Sequence, residues 1–311
     1  MAPVGQTIRI GAPKPAWLKT KATFTPDYVR VKDALRSNRL HSVCEEANCP
    51  NIRECFSHGT ATFMILGNIC TRGCRFCDVI KGHPVGYDLD EPRRMAEGVA
   101  ALHLQQVVIT SVNRDDLPDG GSWVFAETIR ELRARDSRVK IEVLIPDFDG
   151  NFAAVETVLD AKPDVLNHNV ETVPRLYPSV RPRARLERSL EILRMSGDRS
   201  DPPIVKSGIM VGIGETWDEL LDCMRQIAGS GCQILTIGQY LSPSATHTPV
   251  DRYYTPEEFQ ELARAGEAMG FAHVESGPLV RSSYHAFDQV ARMEEKKMAG
   301  QTGEASHEGS R

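Results

Sequence analysis

Cys70-Thr-Arg-Gly-Cys74-Arg-Phe-Cys77 decides how the rest of the chain is read. It follows a short apolar run, Thr62-Phe-Met-Ile-Leu-Gly67, whose length and composition predict a buried strand. Three cysteines spaced C-x3-C-x2-C in one loop turn their sulfurs toward a common point. A [4Fe–4S] cube normally takes four thiolates, so three leave one iron with open positions. Such an iron binds a substrate or cofactor rather than only passing electrons. A zinc site or a redox pair is the alternative, and C-x3-C by itself says little. The full triplet directly after a strand favours the cluster.

Upstream lies Cys44-Glu-Glu-Ala-Asn-Cys49-Pro-Asn-Ile-Arg-Glu-Cys55, a C-x4-C-x5-C triplet with fourteen residues between Cys55 and Cys70. Two triplets of different spacing argue for two iron–sulfur sites. Zinc fits an odd count of thiols poorly without histidine partners. His41 and His58 flank the group and keep zinc as a minor alternative, but surface or capping roles explain both more simply. Six of the eight cysteines fall in these triplets. That clustering suits metal ligation in a reducing compartment, hence the cytoplasm, rather than a disulfide framework. Cys223 lies on a predicted helix and reads as core; Cys232 belongs to neither motif.

The 311 residues are long for one ordinary domain but normal for a single α/β barrel, and 41% apolar content fills a sizeable core. A net charge of −5 and a pI of about 6.0 give no electrostatic case for nucleic acid. No apolar run approaches the ~18–20 residues of a membrane span, and residues 1–21 have no apolar stretch of signal-peptide type.

Residues 1–25 read as an extended arm with Trp17 as an anchor, and 26–40 as an amphipathic helix with Thr25 at its N-cap. Beyond Cys77 the pattern alternates. Helices are predicted over 91–104, 123–134, 152–159, 186–195, 216–228 and 256–269. Strands are predicted over 106–111, 140–145, 164–168, 204–211 and 233–238, with a short last one over 272–275. Repeated strand–helix units predict a parallel sheet with right-handed crossovers. With the strand before Cys70 there are six main strands and a short seventh. Fewer than eight units point to an open or partial barrel, although periodicity alone does not separate this from a doubly wound sheet. Residues 294–311 read as a disordered tail.

Several strand ends carry polar runs, where barrels keep their chemistry. Ser111-Val-Asn-Arg114-Asp115-Asp116-Leu-Pro-Asp119-Gly-Gly121 reads as a solvated turn with a helix cap, with Arg114 and Asp115 as an ion pair. Asn167-His168-Asn169-Val-Glu171 suits ribose hydroxyls or an amino group, or ordinary capping. Ser207-Gly208-Ile-Met-Val-Gly212-Ile-Gly214-Glu215 departs from G-x-G-x-x-G, so its glycines read as letting a ligand approach backbone amides. Ser282 and Ser283, in Gly277-Pro-Leu-Val-Arg281-Ser-Ser-Tyr284-His285, read by themselves as turn residues.

Taken together these motifs resemble the lipoyl synthases, a family of radical S-adenosylmethionine (SAM) enzymes, over nearly the whole chain. The resemblance rests on Val43-Cys-Glu-Glu-Ala-Asn-Cys-Pro-Asn51 with Cys55, and on Cys70, Cys74 and Cys77 with Phe76. It continues through Arg114-Asp-Asp-Leu-Pro-Asp-Gly-Gly121, His168-Asn-Val-Glu-Thr-Val-Pro174, residues 208–215 and Arg281-Ser-Ser-Tyr284. C-x3-C-x2-C marks only the superfamily, whereas the first triplet and the Arg-Ser-Ser-Tyr ending are specific to the family. Asn113 departs, standing where an acid or small residue is more usual.

The resemblance implies an α/β fold, a partial (β/α)6 TIM-type barrel with N- and C-terminal extensions that hold an auxiliary iron–sulfur cluster. The implied division is 1–60, 61–276 and 277–311. It implies that Cys70, Cys74 and Cys77 hold a [4Fe–4S] cluster that binds SAM, and that Asn169, Glu171 and Arg181 lie near SAM. Cys44, Cys49 and Cys55 are implied to hold an auxiliary [4Fe–4S] cluster, with Ser282 as fourth ligand and Ser283 as the alternative. The implied reaction is a sulfur transfer onto a protein-bound octanoyl-lysine. A 5′-deoxyadenosyl radical abstracts hydrogen at C6 and then C8, and the auxiliary cluster supplies both sulfurs. The implied partners are octanoylated lipoyl carrier domains (2-oxoacid dehydrogenase E2 subunits and the glycine cleavage H protein), a ferredoxin- or flavodoxin-type electron donor and an iron–sulfur carrier, with no nucleic acid and no membrane. Two rival readings stand beside it. One is a biotin synthase-like enzyme acting on a free small molecule. The other is a two-cluster electron carrier, which would not need over 200 further residues of strand–helix repeats.

Overall fold

The computed structural model describes residues 14–19 and 24–293. Most of the expected N-terminal arm and all of the expected tail over 294–311 lie outside the described residues. Within the arm, Ala16–Leu18 forms one helical turn in which Leu18 is buried while Trp17 stays 37% exposed. Leu18, not Trp17, is the anchor, because the turn points the smaller apolar side chain inward.

Helix α1 (Pro26–Ser37) starts as its sequence predicts: the Thr25 hydroxyl accepts from the Tyr28 N–H, and Pro26 takes the first position. The short strand β1 (His41–Ser42) leads into two short helices, α2 (Val43–Glu46) and α3 (Ile52–Ser57). Strand β2 (Thr62–Ile65) is buried at every position. Strands β3 (Ile69–Cys70) and β4 (Ile80–Lys81) pair in parallel as a separate two-stranded ladder that brackets the cysteine loop.

Six strand–helix–strand crossovers follow. Their elements are α4 (Glu91–Ala101), β5 (Gln106–Ser111), α5 (Ser122–Arg135), β6 (Lys140–Leu144), α6 (Phe152–Asp160), β7 (Val165–Asn167) and the short α7 (Tyr177–Val180). The rest are α8 (Leu186–Gly197), β8 (Ile204–Val211), α9 (Trp217–Gly229), β9 (Ile234–Gln239), α10 (Pro256–Ala268) and β10 (His273–Gly277). Caps place several boundaries: α9 and α10 open with reciprocal capping boxes, Thr216 with Glu219 and Thr255 with Glu258. The α9 stripe Leu220, Cys223, Met224 and Ile227 is buried at helical spacing, so Cys223 is a core residue.

The main sheet runs β1-β2-β5-β6-β7-β8-β9-β10. Every neighbouring pair from β2 to β10 is parallel, and β1 is antiparallel to β2. Among the described residues β1 and β10 are unpaired edges, so the barrel is open. The short seventh strand is longer than its sequence suggests, because β10 pairs with β9 over five residues, from His273↔Ile234 to Gly277↔Gly238. Parallel order brings all the carboxyl ends of the strands to one side.

A fully buried ion pair ties three strands together. Lys206 Nζ of β8 lies 3.0 and 3.2 Å from the Glu142 carboxylate of β6. The amide of Asn167 on β7 donates to the same carboxylate at 3.1 Å.

Candidate active site

A cavity of about 610 Å³ opens at the carboxyl ends of the strands. Ser111, Leu144, Asn169, Gly208 and Gln239 line it from the sheet; Cys70, Cys74 and Cys77 enter from one side, and Cys44 and Cys49 from another, with Ser282 and Ser283. Two cysteines of the first triplet and all three of the second therefore face one space. Sequence spacing groups each triplet, but only the sheet brings the two groups together.

The loop 70–77 is held from three directions. Cys70 Sγ accepts the N–H of Asn113 at 3.3 Å and of Arg72 at 3.5 Å. Thr71 N–H donates to Asn113 O at 3.0 Å, and Arg75 N–H to Val180 O at 2.8 Å. His247 Nε2 lies 3.1 Å from Cys77 O. Asn113 meets the loop through its main chain, so its unusual side chain leaves these contacts intact. The expected Arg114–Asp115 pair does not form. Arg114 pairs with Asp116 at 2.7 Å, and Asp115 pairs with Arg72 at 2.8 Å, because consecutive side chains leave this turn in opposite directions. Gly121 is the N-cap of α5, and the Asp119 carboxylate before it accepts from the Gly121 and Trp123 N–H groups.

Asn169, Glu171 and Arg181 come together on the cavity wall beside the loop 70–77, where Cys74 is electrostatically coupled to Arg181 and Glu171. The Asn169 amide donates to Glu171 Oε1 at 3.1 Å, and Arg181 donates to the carbonyls of Asn169 and Val170 at 3.1 and 2.7 Å. Glu171 has a φ of +70°, a conformation in which its main chain still bridges to Ile209. Asn169 Oδ1 and Arg181 Nε are buried without a partner among the described residues. Burial pushes the Glu171 carboxyl up, and Arg181 opposes it. Burial likewise pushes the Cys74 thiol up, against Arg181 and Arg72.

On the other triplet, Cys44 sits in α2, Cys55 in α3, and Cys49 in the turn between. The segment 279–284 crosses this group: Asn51 Nδ2 donates to Leu279 O at 2.6 Å, Thr62 Oγ1 to Ser283 Oγ at 2.7 Å, and Tyr284 OH to Glu54 Oε1 at 2.8 Å. Ser283 is thereby engaged, whereas no side-chain hydrogen bond of Ser282 occurs among the described residues. Cys44 is pushed up to about 12 by burial and by Cys49, and Cys55 to about 12 by burial, Cys44 and Cys49. Burial and the neighbouring sulfurs Cys74 and Cys70 raise Cys77 to about 12.

These donor sets fit iron–sulfur clusters. Each is three neighbouring thiols, and burial holds Cys44 and Cys55 of one and Cys74 and Cys77 of the other protonated until a metal displaces their protons. Among the described residues no three or more His, Cys, Asp or Glu gather as ligands for a single metal ion. His41 is taken by Glu46 at 3.0 Å, and His58 ends α3, so neither completes a zinc set. The unpartnered Asn169 Oδ1 and Arg181 Nε are polar groups a bound cofactor would satisfy.

The glycine-rich end of β8 serves a different purpose from the one expected. Only Gly208 of the three lines the cavity. Gly212 and Gly214, with φ of +87° and +116°, shape a turn closed by Glu215, which accepts from Gly212 and Ile213 N–H at 2.6 and 3.0 Å. Those amides are already occupied. Sequence reading also passed over Arg72, although it and Arg75 are the two cations inside the cysteine loop. It gave no role to Arg281, which lines the cavity beside Ser282.

Comparison with known proteins agrees with this geometry. The Radical SAM superfamily matches residues 64–227, and the N-terminal domain of lipoyl synthase of the radical SAM family matches residues 7–49. The lipoyl synthase of Rubrobacter xylanophilus is 55% identical over 89% of this chain and 86% of its own length. That of Roseiflexus sp. is 56% identical over 88% and 91%. Among solved structures, methylornithine synthase aligns with a TM-score of 0.51 at 11% identity, covering 79% of this chain and 71% of its own. Coproporphyrinogen III oxidase from Escherichia coli, a radical SAM enzyme, aligns with a TM-score of 0.50 at 13% identity, covering 67% of this chain and 52% of its own. These distant structures share the fold. The chain belongs to the lipoyl synthase family of radical S-adenosylmethionine enzymes.

Proposed function

We propose that the enzyme converts an octanoyl-lysine on a lipoyl carrier domain into lipoyl by dividing the work between the two cysteine triplets. Cys70, Cys74 and Cys77 hold the [4Fe–4S] cluster at which SAM binds, with Asn169, Glu171 and Arg181 orienting SAM. Cys44, Cys49, Cys55 and Ser282 hold the auxiliary cluster that gives up sulfur. When bound, the clusters and SAM supply the one-electron chemistry that an unactivated alkyl C–H demands. The chain's own share is positioning. Val43, Met64, Val112, Leu144 and Ile209 give the cavity an apolar wall along which an octanoyl chain lies and from which water is displaced. A hydroxyl ligand suits iron–sulfur chemistry less than a thiolate, so Ser282 would hold the auxiliary cluster more weakly than the three cysteines.

One observation supports this most: Cys44 and Cys49 of one triplet, all three cysteines of the other, and Ser282 line the same cavity, and Cys55 is electrostatically coupled to Cys44 and Cys49. Ser282 is preferred to Ser283 because Thr62 already holds Ser283. The reading divides the chain into an N-terminal extension over 1–60, a barrel over 61–276 and a C-terminal extension over 277–311. It places the enzyme in the cytoplasm, consistent with described helices none of which is long and apolar enough to cross a membrane. A ferredoxin- or flavodoxin-type donor supplies electrons, and an iron–sulfur carrier rebuilds the auxiliary cluster. E2 subunits and the glycine cleavage H protein are the carriers it serves.

The test incubates the anaerobically reconstituted protein with an octanoyl-lysine peptide, SAM and a reductant, and follows lipoyl peptide and 5′-deoxyadenosine by mass spectrometry. Wild type is expected to make both, and Cys49→Ala only 5′-deoxyadenosine. Lipoyl product from Cys49→Ala would remove the auxiliary cluster as sulfur donor.

A further inference from the structure

Arg72 lies inside the cysteine loop, yet its side chain is only 5% exposed. Its guanidinium meets carboxylates from two different strand-end loops. Nε donates to both Asp115 oxygens at 3.1 and 2.9 Å, and NH2 to Oδ1 at 2.8 Å. NH1 lies 2.6 Å from Asp147 Oδ1, and NH2 3.5 Å from Asp149 Oδ1. Asp115 follows β5; Asp147 and Asp149 follow β6. Arg188 closes the group from α8, 2.8 Å from Asp147 Oδ2 and 3.1 Å from Asp149 Oδ1. Arg183 covers its outer side, 3.1 Å from Asp115 Oδ2 and 3.6 Å from Asp149 Oδ2.

Three arginines thus face three aspartates, so the buried charges compensate one another. The backbone is bent to achieve it. Phe148 and Asp149 both sit at positive φ, +44° and +53°, which turns two carboxylates of one short loop onto the same cations. Burial by itself would raise the Asp147 carboxyl, but Arg72, His168 and Arg188 together outweigh it and hold the group below its usual range. Beside this network the main chains are stitched together: Asp115 N–H donates to Thr71 Oγ1 at 3.1 Å, and Thr71 Oγ1 donates to Asn113 O at 3.0 Å.

We propose that Arg72 is a positioning residue, a forked clamp that holds the loop 70–77 against the ends of β5 and β6. It thereby sets the attitude of Cys70 and Cys74 toward Asn169, Glu171 and Arg181. The proposal rests on the reading of Cys70, Cys74 and Cys77 as cluster ligands. The fork is the operative feature. A guanidinium binds Asp115 through two nitrogens while a third reaches Asp147, whereas an ammonium on a flexible stem is a point charge.

The experiment uses the full chain carrying Cys49→Ala, so that iron reports mainly on the other triplet. Arg72→Lys, Arg72→Gln and Asp115→Asn are added singly, and each protein is reconstituted anaerobically. Iron release to a chelator is timed, and electron paramagnetic resonance of the reduced cluster is recorded with and without SAM. Circular dichroism confirms folding; Asp115→Asn, nearly isosteric, covers the case in which an Arg72 variant does not fold. The clamp predicts that all three release iron at least about tenfold faster than the parent, as loss of a supporting contact to a ligand shell does. It also predicts that the SAM-induced spectral change weakens and that Arg72→Lys does not rescue it. Parent-like iron retention and SAM response in Arg72→Lys would overturn the clamp in favour of charge alone. Parent-like behaviour in Arg72→Gln and Asp115→Asn would overturn it outright. If the Cys49→Ala parent binds no iron that Cys74→Ala removes, the cluster assignment falls and the clamp with it.

Discussion

Replacing Gly238 by alanine tests how tightly the two ends of the chain are set against each other. Gly238 lies in β9, between Met210 of β8 and Gly277 of β10. An added Cβ would stand 2.1 Å from Val280 O, 3.0 Å from Val280 C and 3.4 Å from Arg281 NH1. Ordinary contact is about 3.5 Å, so something must retreat by on the order of 1 Å. The strand is hydrogen-bonded on both sides, and the segment 279–284 therefore moves. Overpacking of this kind costs about 1–3 kcal/mol. The larger consequence is geometric, because Ser282 is carried away from Cys44, Cys49 and Cys55. A misplacement of about 1 Å in a reacting constellation costs roughly 100-fold in rate. Gly238→Ala is expected to fold and to cleave SAM, but to retain less auxiliary-cluster iron and to form lipoyl peptide about 100-fold more slowly. Iron per chain, 5′-deoxyadenosine and lipoyl peptide are measured on one preparation. Wild-type product formation would refute the reasoning, and so would equal loss of SAM cleavage, since the loop 70–77 is not displaced.

Lys206→Met strands the buried Glu142 carboxylate with Asn167 as its remaining partner, and is expected to cost about 3–5 kcal/mol in urea unfolding. Adding Glu142→Leu is expected to restore most of that, and a double variant no more stable than the single would contradict the pairing argument. His168 is buried between Ile145 O and Ser189 Oγ, and burial, with Arg181 also opposing protonation, lowers it from 6.5 to about 4. It folds neutral, so the unfolded chain binds its proton first. The stability this represents is full above pH 6.5 and drains away as pH falls toward 4. Between pH 7 and 5 the loss is about 2 kcal/mol, read as the difference between wild type and His168→Gln in urea midpoint; parallel pH profiles would sink it.

The local elements were legible because their signals are local. Thr25, Thr216 and Thr255 mark helix starts through hydroxyls that bond within their own first turn. Strands β5 and β8 begin and end where the apolar runs do. Both cysteine triplets were visible as groups from their spacing. The ion pairing of Arg114, Asp115 and Asp116 was not legible, since neighbours in sequence diverge where the backbone turns. Gly212 and Gly214, just past β8, misled for a related reason: their positive φ serves Glu215, a partner that composition does not single out. Leu18 in place of Trp17 shows that size does not decide which side of a single turn faces inward.

By itself, the sequence determined the repeated strand–helix order, the two cysteine groups and the family, because each is written in consecutive residues. Tertiary structure alone decided that Cys44 and Cys70 open onto one cavity, that Thr62 occupies Ser283 and leaves Ser282, and that Arg72 meets Asp115 and Asp147. Those contacts join residues far apart in the chain, and only the parallel stacking of strands, with their carboxyl ends on one side, brings such residues within bonding distance.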